Sequence, residues 1–431
     1  MVLLERLFGL KEKATTVRTE VLAGIVTFIT MVYILAVNPM ILGASGMDPG
    51  AVFTATAISA AVATFVMAFL ANLPIALAPG MGLNAFFAFS VVLGMGYSWQ
   101  MALAAVFVEG ILFLILSFFN VREGIVNSIP LNLKKAISVG IGLFIAFIGL
   151  QNAGIIVGYE ATMVTLGNVS SPEVIIALLG LFFITTLLAL KIRGAILLGI
   201  LAATVVGIPF GVTQLPTGSW LPPSLAPTFA QFDFSALFTL DFLIVVVTFL
   251  FIDIFDTAGT LIGVATKGKL LNEDGTIPKA KEAFIADSIG TTVGALLGTS
   301  TVTAYIESAS GMTEGGRTGL TSLTTGVLFL MSLFLAPLFL MVPAAATASA
   351  LIVVGLFMAS IISDIDFGDY TEALPAFLTV IMMPLSYSIS EGIMFGVISY
   401  VVLKLLTGRY KEVSKVTAVL GVIFTVWLFI G

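Results

Sequence analysis

The stretch Gly298–Leu320, GTSTVTAYIESASGMTEGGRTGL, decides how this chain is read, because it sets the ionisable Glu307 inside a sequence built to sit in lipid. Before it, Thr301-Val302-Thr303-Ala304-Tyr305 is β-branched and aromatic enough to be extended. After it, Ser308, Ala309, Ser310 and Gly311 are small residues suited to a closely packed helix start. The expected form is strand, then helix. A helix that begins in mid-membrane turns unpaired N–H groups and its positive dipole end toward one point, an arrangement that suits a polar ligand.

Composition supplies the frame. Of 431 residues, 59% are hydrophobic and 10% charged, and mean hydropathy is +1.16, which is far from a soluble domain. Apolar runs recur from about Val21 to Lys404, each long enough for a hydrocarbon core of about 30 Å. The chain reads as a polytopic membrane protein. The first run is a full span behind a charged lead, so no cleavable leader is expected. With Cys 0 and His 0, disulfides, thiolates and imidazole relays are excluded, and proton chemistry falls to Asp and Glu.

All 18 Lys and Arg fall in the lead, at Arg122 to Lys135, at Lys191 and Arg193, at Lys267 to Lys281, at Arg317 and at Lys404 to Lys415. The loops near Asp48, Tyr97, Glu160, Asp233 and Asp364 to Asp369 hold none. The positive-inside rule makes the basic clusters cytoplasmic and these other loops external. The charge of the Lys267–Lys281 loop, with Asn272-Glu273-Asp274-Gly275, is a matter of topology and not of nucleic-acid binding.

The spans read about 20–38, 51–72, 80–96, 100–120, 133–156, 172–190, 194–214, 240–264, 283–297, 304–316, 318–340, 343–363, 372–388 and 390–407, with a cytoplasmic N-terminus. The apolar stretch Val416 to Ile430 is expected to lie along the membrane surface, given its short length and polar approach. The halves correspond. Asn72-Leu73-Pro74 through Gly80 lies over Thr299-Ser300-Thr301 through Glu307, Glu109-Gly110 over Thr325-Gly326, and Pro130 over Pro343, in order and at similar spacing. Seven spans per copy is odd, so the fold class is an all-α membrane protein of fourteen spans in a 7+7 inverted repeat, with the site at the midplane.

Span 3 is the counterpart of the opening stretch. Pro74, Pro79, Gly80 and Gly82 would disrupt a spanning helix, so an extended Pro74–Ala78 followed by a helix from about Gly82 is expected. Short strands in broken spans 3 and 10 would then pair antiparallel and satisfy each other's backbone; the competing reading is a kinked helix. Asn84 stands at the mouth of that helix. In span 8, Asp253, Asp256, Thr257 and Thr260 form one polar stripe, and Gly259 with Gly263 suits close helix approach. Asp253, Asp256 and Glu307 are the candidate proton-carrying carboxylates, since crowded like charges favour a shared proton. For Asp253 a bracing role through Ser or Thr hydroxyls competes evenly. Glu109 reads as a packing contact beside Gly110, and Glu391 and Asp287 as interfacial. Tyr305 is the aromatic to set against a flat ligand.

The segments APGMGLNAFF (78–87), FDTAGTLIGV (255–264) and TSTVTAYIESASGMTEGGRTGL (299–320) resemble those of AzgA-type purine permeases, the adenine/guanine/hypoxanthine branch of the nucleobase transporter superfamily. The resemblance runs over nearly the whole chain. It implies proton symport of purine bases across the cytoplasmic membrane, with the proton as coupling ion, no cofactor and no enzymatic activity. It further implies a moving core (20–120 and 240–340) and a gate (121–215 and 341–408), joined by a connector at 216–239 and flanked by the lead 1–19 and the tail 409–431. Related gates dimerise, so a homodimer is a possible partner state. Similar uracil permeases hold their base between carboxylates that map onto Asp256 and Glu307, with Asp here in place of the Glu typical of span 8. Asn84, Tyr305, Gly82, Thr257 and Ser308 complete the implied substrate-binding set, their hydroxyl, amide and backbone groups meeting the edge of a base.

Two competing readings remain. An anion or carboxylate carrier of the same fold is disfavoured by a site with acidic side chains and no Lys or Arg. An intramembrane enzyme is disfavoured by the lack of HExxH, a Ser/His dyad or Cys.

Overall fold

A computed structural model describes residues 2–118, 130–216, 219–272 and 277–430. The basic position Arg122 and the loop residues Glu273, Asp274 and Gly275 lie outside them. In the first repeat a short lead helix α1 (Val2–Phe8) precedes α2 (Val17–Met31) and α3 (Ile34–Gly43), which together make one interrupted crossing. The Thr16 hydroxyl caps α2 by accepting from Thr19 N–H. α4 (Pro49–Val66) starts with Asp48 as cap and Pro49 in its first turn, the residue types that such an end favours, and continues in wider turns to Ala71. Then come β1 (Leu77–Pro79), α5 (Met81–Ala85, prolonged in π-type turns to Gly94) and α6 (Trp99–Phe118). α7 (Leu131–Asn152), the ribbon β2 (Ile156–Tyr159) and β3 (Met163–Leu166), α8 (Pro172–Ala189) and α9 (Ala195–Gly207) complete this half.

The second half repeats the order. It contains α10 (Leu240–Lys267), α11 (Ala280–Leu297), β4 (Val302–Ala304), α12 (Ser308–Thr313), α13 (Gly319–Met331) with its continuation α14 (Ala336–Leu340), α15 (Ala344–Ala359), α16 (Tyr370–Leu385) and α17 (Ile389–Leu406), followed by α18 (Lys415–Ile430). Among the described residues nine helices are long and apolar enough to cross a membrane. The other crossings fall short because they are broken, brief or charged, as in the spans centred on β1, on β4 and on Asp287.

The expected strands form. Leu77 pairs with Ala304, Ala78 with Thr303 and Pro79 with Val302, antiparallel. The ladder is extended by Gly80 N–H to Thr301 O and Tyr305 N–H to Ala76 O, both 3.0 Å. Each outer edge is closed by one threonine. Thr64 of α4 donates to Leu77 O and accepts from Leu77 N–H at 3.1 and 3.0 Å, and Thr291 of α11 does the same for Val302 at 3.1 Å. Thr64 and Thr291 stand at the same interval as Gly80 and Glu307, so the pseudo-twofold reaches the side chains. Non-helical backbone is thereby satisfied in mid-membrane without water.

α7 packs along α15, each entered behind a proline, Pro130 and Pro343. Their backbones close at Gly142 and Gly355, where a Cβ on either would run into the other's carbonyl oxygen. Phe182, Val205, Phe334 and Leu356 point outward, as lipid-facing side chains do.

Three expectations are corrected. The loop 364–369 is not on a face opposite the basic clusters: Lys135 Nζ donates to Asp364 O at 2.6 Å, and Arg409 pairs with Asp369 at 2.6 Å. The rule counts Lys and Arg, and a loop this short need carry neither. The stretch 416–430 does not lie along a surface. It folds back along α17, with Gly421 against Val401 and with Leu420 and Phe424 in the core, and the Trp427 indole N–H reaches Asp241 at the start of α10. Gly259 and Gly263 are not a packing pair, since a Cβ at either meets nothing within 4 Å.

Candidate functional site

Around the crossed ends of β1 and β4 lies a cavity of about 510 Å³, within the range of about 300–1,000 Å³ usual for small-molecule sites. Asp256 from α10 and Glu307, just before α12, both line it. Tyr33, at the break between α2 and α3, donates to Glu307 Oε1 at 2.6 Å. Tyr305 is held by its hydroxyl, which donates to Pro79 O at 2.6 Å, and leaves its ring on the cavity wall. The Thr303 hydroxyl lies within hydrogen-bonding reach of Asp256. Gly82 lines the cavity where a Cβ would meet Ile141 of α7 at 2.8 Å, so its glycine lets the two halves of the wall approach.

Asp256, Glu307, Tyr305 and Gly82 therefore come together as the sequence reading expected. Asn84, Thr257, Ser308 and Asp253 do not line the cavity, and all four are fully buried. Asn84 hydrogen bonds to Ser300 behind the strands. Ser308 accepts from Ala76 N–H at 3.0 Å, bracing β1. Ser308, Ala309 and Ser310 N–H are used in tight turns to Tyr305, Ile306 and Glu307 carbonyls, so the start of α12 offers less than was expected of it. Thr257 donates to Asp287 Oδ1 at 2.9 Å on the far side of α10. A three-residue step turns a helix by about 300°, enough to put Asp256 on the cavity and Asp253 behind it. Asp287 is likewise fully buried, not interfacial. Glu391 sits half-buried in the first turn of α17, its N–H on Ser388 Oγ.

The Permease family model Xan_ur_permease matches residues 18–395. The chain belongs to this permease family. Over 98% of its length the permease is 50% identical to "Putative permease MJ0326" of Methanocaldococcus jannaschii, covering 98% of that protein. It is 46% identical to "Adenine permease AdeP" of Escherichia coli, covering 98% and 95% of the two chains. To "Guanine/hypoxanthine permease PbuG" of Bacillus subtilis it is 45% identical, covering 97% and 98%. The transmembrane domain of the cyanobacterial bicarbonate transporter BicA superposes with a TM-score of 0.63 at 16% identity, over 88% of this chain and 97% of that one. That likeness establishes the shared 7+7 inverted-repeat fold.

Sequence reasoning missed several residues of the permease. Tyr33 lies in an unbroken apolar run with no Gly or Pro at the break. Pro39, which cannot donate back into the preceding turn, is the local signal. Phe255, one of 35 phenylalanines with nothing local to set it apart, lines the cavity as well. Lys134 and Lys135 also line it at the start of α7, with Lys134 Nζ 5.9 Å from the Phe255 ring centre. The expectation of a site without Lys or Arg is thus corrected. These lysines belong to the other wall, which only tertiary packing brings opposite α10. Glu20 of α2 is buried and accepts from Arg317 N–H, Thr318 N–H and the Thr321 hydroxyl, fixing the entry to α13.

Proposed function

We propose that this permease imports purine nucleobases, namely adenine, guanine and hypoxanthine, together with protons across the cytoplasmic membrane. The observation that carries the reading is the pair Asp256 and Glu307 on one cavity wall, flanked by the rings of Tyr305 and Phe255. A purine presents ring N–H donors along a flat edge, which two carboxylates accept, while its face lies on an aromatic ring. The names of the relatives in Escherichia coli and Bacillus subtilis support the substrate class.

The basic face, with Lys134, Lys135 and Arg409, is taken as cytoplasmic, which puts the N-terminus inside and opens the cavity inward. Residues 20–120 and 240–340 act as a core that carries the site past a gate of 121–215 and 341–408. A buried carboxylate pair and a base bind together at least cost when one acidic group is neutral. Protonation among Asp253, Asp256 and Glu307 therefore accompanies loading, and release to the cytoplasm returns the proton. The test is uptake of labelled adenine, guanine and hypoxanthine, with uracil and bicarbonate as controls, in purine-uptake-deficient cells with and without a protonophore. Purine uptake abolished by the protonophore is the expected result. Bicarbonate uptake without purine uptake would favour the anion reading.

A further inference from the structure

Behind α10, turned away from the cavity, three helices bring carboxyl groups together out of reach of solvent. Glu109 of α6, Asp253 of α10 and Asp287 of α11 are each fully buried. The carboxyl groups of Glu109 and Asp253 meet directly. The Thr257 hydroxyl lies 2.9 Å from Asp287 Oδ1 and 3.5 Å from Asp253 Oδ1. Both oxygens of Glu109, and Asp253 Oδ2, meet no donor.

Among the described residues, the further charged groups that act on the pair are Asp287 and Asp256, both acidic. α4, the helix 81–94 and strands β1 and β4, which pack around these helices, bring no titratable side chain. Asp241 and Lys267, and Lys281 and Glu282, stand at the ends of α10 and α11. Ionised carboxylates have only acceptors, so two that meet form a hydrogen bond only while they hold a proton. Without one they repel, since neither oxygen of Glu109 nor Asp253 Oδ2 meets a donor and both residues are fully buried. Among the described residues no group of three or more Asp, Glu, His or Cys is arranged to hold a metal ion, which favours a proton as the occupant.

We propose that Glu109, Asp253 and Asp287 form a proton-binding site separate from the base-binding carboxylates, and that the proton held between Glu109 and Asp253 is the one that travels with the base. The inference rests on the proton-coupled reading above. Only an O–H bond is made and broken: the proton joins the pair from the external side and leaves to the cytoplasm. Coupling runs through short links. Asp253 and Asp256 are one turn apart on α10. Thr291, one turn beyond Asp287, grips both backbone groups of Val302, and the next residue, Thr303, faces Asp256. Losing the proton pushes α6, α10 and α11 apart and disturbs the wall that receives the base.

The experiment uses full-length protein in liposomes with a pH dye inside, and whichever of adenine, guanine or hypoxanthine the wild type carries fastest. Glu109→Gln places an amide donor where the proton sits, and Asp253→Asn does so from the other side. Expected is base-for-base exchange within about twofold of wild type, base-evoked proton entry abolished, and gradient-driven accumulation down about tenfold or more. The pH dependence of uptake flattens as well, which a merely structural role would not produce. Proton entry per base at the wild-type level in both variants would overturn the proposal, as would a sodium gradient driving uptake in place of protons, or loss of exchange and proton entry together in correctly inserted protein. A wild type that itself moves no protons with the base would remove the underlying reading, and is recognised without any variant.

Discussion

Glu307 was legible in the sequence because a carboxylate costs too much in an apolar chain to stand idle between a β-branched run and a run of small residues. Its partner Tyr33 was not, since nothing local marks an aromatic 274 positions away as its donor. Tyr33→Phe should leave Glu307 without that bond and weaken base binding by about 1–3 kcal/mol, the cost of an orphaned buried acceptor. The apparent affinity for purine reads it out, while the amount of inserted protein should hold. Asp253 and Asp256 show the other limit. Their spacing said that one helix carries both, but a difference of about 60° in phase decides which of them faces a cavity, and only the neighbours α6 and α11 set that phase.

Among the elements, the two broken spans were readable because Pro74 and Pro79 break an ordinary helix and the β-branched run 301–303 favours extended backbone, and the duplicated order supplied the partner strand. The C-terminal helix was misread because length and polarity say nothing of the groove along α17 that takes Leu420 and Phe424. The contact of α7 with α15 depends on glycine at both crossing points. Gly142→Ala puts a Cβ about 2.7 Å from Gly355 O and should destabilise the protein by about 1–3 kcal/mol through overpacking. Thermal unfolding in detergent, compared with an exposed Ala substitution elsewhere on α7, checks this.

In the whole molecule, fold and class followed from hydropathy, charge distribution and repeat order, whereas the packing of one wall against the other did not. The basic face is tied by Arg409, which pairs with both Asp369 and Glu412. Arg409 and then Lys404 hold the Glu412 carboxyl down at about 2, against about 4.3 for a free Glu. A depressed carboxyl stabilises the fold above its unfolded value and loses that contribution as pH falls toward about 2. Uptake changes between about pH 5 and 8 therefore do not come from this tie. Arg409→Gln should leave the pH profile of uptake in place, and a profile that shifts with that variant would show otherwise.

The most direct test is equilibrium binding of labelled adenine, guanine and hypoxanthine to purified protein, with uracil as control, for wild type, Asp256→Asn and Glu307→Gln. Wild type should bind at least one purine in preference to uracil, and each variant should lose about ten- to hundredfold in affinity, as expected for a hydrogen bond to a charged group worth about 1.5–3 kcal/mol. Purine binding unchanged in both variants would contradict the assignment of the cavity between Asp256 and Glu307 as the site of the base.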